Sequence, residues 1–403
     1  MSEHPHGPLE GLLVVDMANM MAAPSAAMML ADFGATVLKV ERPDGGDVSR
    51  HAPMRAGDTS VWWRLLGRNK EAITLNLKDP RAQAILRRIL RDADVLIENN
   101  RPGKLEAMGL APATLHADNP GLVILRVTGW GQTGPYADRA TFGTQIEAMS
   151  GFAYANGHPD GPPTLPAFAI ADACTGYLGA FATMAALWAR ERDPERRGQV
   201  VDLSIFEALF GMLGPQSSAY DKLGLVMERQ GSRAPLSAPR NVYRARDGRY
   251  VALSTSGGGH IAHRTFAAMG REDLIAHPHF ATLEARLAHI DEVDAAMQDW
   301  MGRHDADDIV RLLSAAGASV APIYSIADVF RDPHFAARDL VVEAPSTDIG
   351  PVKMQNVFPR LTRTPGAVRW SGRPLGADNE RWLLERLGIS RDEMDVLRRD
   401  GVI

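Results

Sequence analysis

Short apolar runs alternate with amphipathic segments through the first third of this chain, and few folds accept that pattern. The run "GLLVVDMA" (Gly11–Ala18) reads as a buried strand. The segment "AAPSAAMMLADFG" follows as a helix, with Pro24 in its first turn and Gly34 closing it. The next strand is "ATVLKVER" (Ala35–Arg42). A strand–helix–strand unit of this length predicts parallel pairing. Further strands are read at "AITLNL", "DVLIEN" and "GLVILRVTGWG". Between the first two lies "KDPRAQAILRRILRDA", with Ile85, Leu86, Ile89 and Leu90 on one face and Asp79-Pro80 at its start. The reading is an α/β domain with a parallel, broadly Rossmann-type sheet. No G-x-G-x-x-G follows the first strand, so a dinucleotide site lacks its phosphate turn.

The middle of the chain changes character. "AFAIADACTGYLGAFATMAALWARERD" (Ala167–Asp193) reads as a long helix, and "GQVVDLSIFEALFGML" as a strand running into another. Periodicity is lost over Leu225–Arg240, which gains Pro, Gly and Ser and reads as a join between domains. A hairpin turning at Asp247-Gly248 follows, then helices over roughly Ile261–Ala316, a strand at "APIYSI" and a short capped helix at the end.

The net charge of -5 gives no general attraction to nucleic acid or to anionic membranes. Cys174 is the one cysteine, so no internal disulfide can form, and "MSEHPHGPLEG" lacks a basic-then-apolar leader pattern. The expected compartment is the cytoplasm. The uncharged stretch Ala173–Ala189 is about one membrane thick, yet its Ala, Gly and Thr content predicts a buried core helix instead of a membrane span.

Asp172 stands near the head of that apolar helix. It is a natural helix cap or structural acid. It is also placed to act as an ionised, accessible nucleophile, with Gly176 and Gly179 leaving room for close approach, although the cap or structural acid is the default reading. Cys174 is the rival nucleophile, in what reads as a first turn that would lower its pKa. "TSGGGH" lacks the Lys-Ser/Thr of a phosphate loop and reads as a flexible loop or lid, Gly257–Gly259 at its centre. "HPHF" is read as a helix-entry turn, since His277 and His279 lack a third metal ligand in sequence. Arg42, Lys70, Arg101 and Lys104 fall at or just past strand ends. There they are ordinary surface charge or a site for the phosphates of a nucleotide-like ligand.

Several of these segments occur together in a known order. "AAPSAAMMLADFGATVLKVERPDGGDVSR", "GRNKEAITLNLKDP", "DADVLIENNRPGKLEAMGL", "TGWGQTGPY", "ADACTGYLGAFATMAALWARER" and "RDPHFAARDLV" span most of the chain. The chain resembles the class III CoA-transferases, the family that also holds the α-methylacyl-CoA racemases. The resemblance implies that Asp172 is the catalytic aspartate. It implies that Arg42 and Lys70 contact the nucleotide portion of coenzyme A. Asn99, Asn100, Arg101 and Met108 match the segment that wraps CoA, Trp130 and Tyr136 lie on the segment near the thioester, and Met21 is a further CoA-binding position. The implied fold is an interlocked, ring-like homodimer. Its large Rossmann-like domain comes from both chain ends (residues 1–224 and 331–403), with a smaller α/β domain at 225–330.

The expected reaction moves CoA from an acyl-CoA donor to a carboxylic acid through aspartyl anhydride and aspartyl-CoA thioester intermediates. Backbone N–H groups of the Ser256–His260 loop are the expected oxyanion donors. Acyl-CoA and a carboxylic acid are the small-molecule partners, and no metal or redox cofactor is expected. Met20-Met21 stand where formyl-CoA transferases often carry polar or smaller residues, Asn100 replaces a common aromatic, and Thr128 replaces a Lys. The alternative is a racemase or isomerase, which needs an acid/base pair. Phe142 stands about where that branch carries its His. Two other readings are a CoA-binding protein without turnover and, disfavoured by the missing glycine fingerprint, an oxidoreductase.

Overall fold

The computed structural model describes residues 7–256 and 259–403. The chain divides into two compact units. The first takes residues up to Phe152, then Pro166–Gly214 and His334–Ile403; the second takes Ala153–Leu165 and Pro215–Pro333. The step out of the first unit thus comes at Pro215, earlier than the join read at Leu225, and a short excursion at 153–165 had no signal in the sequence pattern.

The first unit holds a six-stranded parallel sheet. Its strands are β1 (Leu13–Asp16), β2 (Thr36–Glu41), β3 (Lys70–Thr74), β4 (Val95–Glu98), β5 (Val123–Thr128) and β6 (Val200–Ser204). Their order is β3-β2-β1-β4-β5-β6, with every neighbouring pair parallel. Five helices matter for the site: α1 (Ala22–Asp32), α2 (Pro80–Leu90), α3 (Gly143–Met149), α4 (Ile170–Arg192) and α5 (Ile205–Phe210). Both sheet faces are apolar, as a helix-covered parallel sheet requires. Leu13, Val15, Leu38, Ile73 and Leu96 pack with α2 on one face. Val14, Val37, Ile97, Val123 and Leu125 pack with the alanines of α1 and with Ala180 and Leu187 of α4 on the other.

Local signals place these elements. The Asp79 side chain accepts from Arg81 N–H at 2.8 Å, and Pro80 takes the position where no N–H is needed. Ser204 and Glu207 form a reciprocal capping box at the head of α5. Strand β3 begins at Lys70, two residues before the sequence reading placed it. It is an edge strand, and its outward N–H groups are satisfied by side chains from the far end of the chain. Ala72 N–H donates to Asp378 and Thr74 N–H to Asn379, both at 2.8 Å.

The second unit is built on an antiparallel sheet of β7 (Arg240–Arg244), β8 (Tyr250–Ser254) and β9 (Ser319–Pro322), with β8 central. Tyr243 is buried there, and its hydroxyl donates to Asp294 at 2.7 Å.

Candidate active site

The strand order reverses between β1 and β4, and in open parallel sheets that crevice, at the carboxyl ends of the strands, is where ligands bind. The segments leaving these two strands clasp one another. Asn99 accepts from Asn19 N–H at 2.9 Å and donates to the Asn19 carbonyl at 2.8 Å. Asn100 folds back on the buried Glu98, donating backbone and side-chain N–H groups at 2.7 and 2.9 Å. Met21 is the N-cap of α1 and offers it no side-chain bond. Arg42 leaves the end of β2 exposed, its Nε 3.1 Å from the Gly46 carbonyl. Arg101 is exposed just beyond β4 with no ion pair among the described residues. The sheet edge therefore gathers Met21, Arg42, Asn99, Asn100 and Arg101. Met108 is half-buried against the sheet core, where it acts as packing.

Lys70 lies elsewhere. It starts β3, at the amino end of a strand, and is 2% exposed. Its Nζ donates to Asp16 Oδ2 and to the Pro24 carbonyl, each at 2.8 Å. With Lys39 and Asp47 it belongs to a buried ionic network centred on Asp16. Its ammonium is thus already satisfied inside the protein, and the two-residue shift in the strand start is why the sequence misplaced it.

Asp172 is the third residue of α4, not its cap; the cap is Ala169, which makes no side-chain bond. Successive residues of that turn meet different surroundings. Ala171 is fully buried with Ile146 of α3 and Leu209 of α5, against Trp130 and Phe206. Ala173 lines a cavity of about 340 Å³, with Met21, Met28, Phe168, Tyr177 and Phe358 on its walls. Asp172, between them, is turned to the start of α3, where Gly143 leaves the space its carboxylate fills. No side chain donates to that carboxylate among the described residues. Burial, then the neighbouring charge of Glu147, push its pKa up to about 6. The helix N-terminus, expected to favour the anion, is outweighed.

Two further expectations are corrected. Gly176 and Gly179 admit helix α1, not a ligand: added Cβ atoms would stand 2.6 Å from Ser25 Cβ and 3.1 Å from Ala26 Cβ. Cys174 lies in the second turn, and burial pushes its thiol pKa up, away from a reactive thiolate. Trp130 stacks edge-on to Tyr136 at 5.6 Å, and its buried indole N–H has no acceptor among the described residues. Phe142 is 67% exposed at the head of α3. Gly257 and Gly258 of the glycine loop lie outside the described residues; Gly259 opens the helix Gly259–Ala268.

The sequence reading missed Gly143, Glu147 and the Asp16–Lys39–Lys70 network. It also left His279 without a third ligand, which the fold supplies. His279 and His289 stack at 3.5 Å and both rings meet the Glu292 carboxylate, at 2.8 and 3.3 Å, in the second unit. Ordinary hydrogen bonding accounts for that cluster.

The six-stranded parallel sheet and the half-buried carboxylate near the head of α4 place the chain among α/β proteins, and comparison gives the family. The family model for CoA-transferase family III matches residues 9–379, and the chain belongs to that family. It is 38% identical over 403 residues to the succinyl-CoA–D-citramalate CoA-transferase of Chloroflexus aurantiacus, covering 100% of both chains. It is 38% identical to the succinyl-CoA–L-malate CoA-transferase beta subunit of the same organism, covering 98% of each. Among solved structures, a CaiB/BaiF family protein from Brucella suis matches with a TM-score of 0.83 and 30% identity, over 94% of this chain and 99% of that one.

Proposed function

We propose that this protein transfers CoA from an acyl-CoA donor to a carboxylic acid, with Asp172 as the covalent nucleophile. The observation that carries the reading is the Asp172 carboxylate itself. It is half-buried, lacks any side-chain donor among the described residues, and is seated at Gly143 on the first turn of α4. Such a group is poorly solvated as an anion and gains by becoming an ester-like acyl group.

In this mechanism a carboxylate oxygen of Asp172 attacks the thioester carbonyl. The C–S bond breaks, CoA leaves as thiolate, and a mixed anhydride remains. The thiolate then attacks the Asp172 carbonyl and releases the donor acid as its carboxylate, leaving an aspartyl-CoA thioester. The acceptor carboxylate repeats these steps in reverse. Arg42 and Arg101 face the CoA phosphates, with Asn99 and Asn100 shaping the crevice and Trp130 and Tyr136 near the thioester. CoA binding remote from the reacting carbon supplies orientation. Succinyl-CoA is the first donor to test, because the relatives quoted above carry it in their names. The strand order supports a Rossmann-like reading of the first unit. A homodimer is proposed as well, supported by the exposed apolar face of α4, where Tyr177, Phe181 and Trp188 are 45, 71 and 62% exposed.

The test is a donor-by-acceptor screen. Acetyl-, succinyl- and formyl-CoA are each offered with mono- and dicarboxylic acids, and new CoA esters are read by mass spectrometry. A new ester that disappears with Asp172→Ala supports the reading. No ester, with deuterium uptake into a 2-methylacyl-CoA, would overturn it in favour of the isomerase branch.

A further inference from the structure

We infer that Glu147 is a positioning residue for Asp172: it holds the first turn of α4 and keeps the free Asp172 carboxylate high in energy until acylation removes its charge. This rests on Asp172 being the nucleophile. Glu147 lies one helical turn beyond Gly143 on α3, so both present the same face to the head of α4. A Cβ at Gly143 would stand 2.5 Å from Asp172 Oδ2, and Glu147 Oε1 accepts from Ala171 N–H at 3.5 Å. Because Ala169 gives α4 no side-chain cap, Glu147 reaches from another helix to a donor that would otherwise be orphaned.

Glu147 is 4% exposed, and no Lys, Arg or His pairs with it among the described residues. The other charged groups on elements packed around α4 already have partners. Asp32 of α1 is held by Arg68, and Glu207 of α5 by Ser204. Arg126 of β5 is held by Glu98 and Glu106, and Asp202 of β6 accepts from Gln132 N–H. On α4 itself, Cys174 and Tyr177 are both pushed towards their neutral forms by burial, and Arg190 of its last turn is taken by Asp94. Glu147 is thus a buried carboxyl group against the nucleophile's own turn with no cationic partner among the described residues. The anhydride and the aspartyl-CoA thioester are both neutral at Asp172, so the first acylation relieves the repulsion, which returns only when the free carboxylate is regenerated.

The test compares wild type, Glu147→Gln and Glu147→Ala as full chains. Carbodiimide labelling of Asp172 against pH, read by mass spectrometry, reports its titration without needing turnover. CoA transfer is followed over the same range. The expected result for Glu147→Gln is a labelling midpoint about one unit lower than wild type, a kcat reduced several-fold near neutral pH, an unchanged KM for acyl-CoA and, because the relieved repulsion favours the folded state above pH 6, a melting temperature no lower than wild type. Glu147→Ala, which also loses the cap, should melt lower. An unshifted midpoint in Glu147→Gln, with Asp172 still modified during transfer, would overturn the inference alone. A shifted midpoint in a protein that transfers no CoA would support the carboxylate pair and overturn the transferase reading.

Discussion

A Cβ placed on Gly143 would stand 2.5 Å from Oδ2 of Asp172, closer than any real contact. The glycine is the space that the carboxylate occupies. Gly143 opens α3, where alanine fits the backbone without strain. Gly143→Ala should therefore leave stability within about 1 kcal/mol while displacing the nucleophile. A misplacement of this kind costs about 100-fold in kcat. Steady-state kinetics beside a thermal melt would check both halves.

The raised pKa of Asp172 makes two pH statements. Transfer should fall as pH drops through about 6, because the nucleophile becomes protonated. Stability runs the other way. The folded state holds the Asp172 proton more tightly than the unfolded chain, so stability declines as pH rises from the ordinary value of 3.8 to about 6 and stays lower above it. Asp172→Asn removes that penalty. It should abolish transfer yet gain about 1–3 kcal/mol at pH 7.5, read from denaturant melts at pH 4 and pH 7.5.

The cations divide into two kinds. Arg101 is exposed and has no ion pair among the described residues, so Arg101→Ala should raise KM for acyl-CoA while leaving kcat and the melt nearly unchanged. Lys70 is 2% exposed on Asp16, so Lys70→Ala takes one of two ammonium partners from a buried carboxylate and leaves Lys39 3.7 Å away. The expected cost is about 1.5–3 kcal/mol of stability. Kinetics and melts on the two variants separate binding from structure.

The exposed face of α4 gives a prediction about assembly. Phe181 is 71% exposed in the middle of an apolar row with Tyr177 and Trp188. Contiguous apolar surface of that kind marks a contact face. The proposed homodimer predicts a dimer for the wild type and a monomer for Phe181→Glu in analytical ultracentrifugation.

Much of the fold was legible because it is written locally. The Asp79-Pro80 start, the Ser204 capping box and the apolar strands all act through neighbouring residues. Asp172 was singled out through resemblance, but its environment was not legible. Glu147 and Gly143 reach it from a separate helix, across 25 and 29 residues of sequence, and no local pattern encodes that meeting. The same holds for Lys70, whose partner Asp16 sits two strands away in the sheet, and for His279, whose partners arrive from the next helices. The position of Cys174 turned on where α4 begins. Without a polar N-cap, nothing in the sequence marked Ile170 as its first residue.

The central claim is that CoA becomes covalently attached to Asp172. Wild-type protein would be mixed with succinyl-CoA, quenched in acid within a turnover and digested for mass spectrometry. The account predicts that the peptide bearing Asp172 gains the mass of CoA as a thioester, and that hydroxylamine converts it to the hydroxamate. Full transfer with Asp172 unmodified, or with the adduct on Cys174, would contradict it.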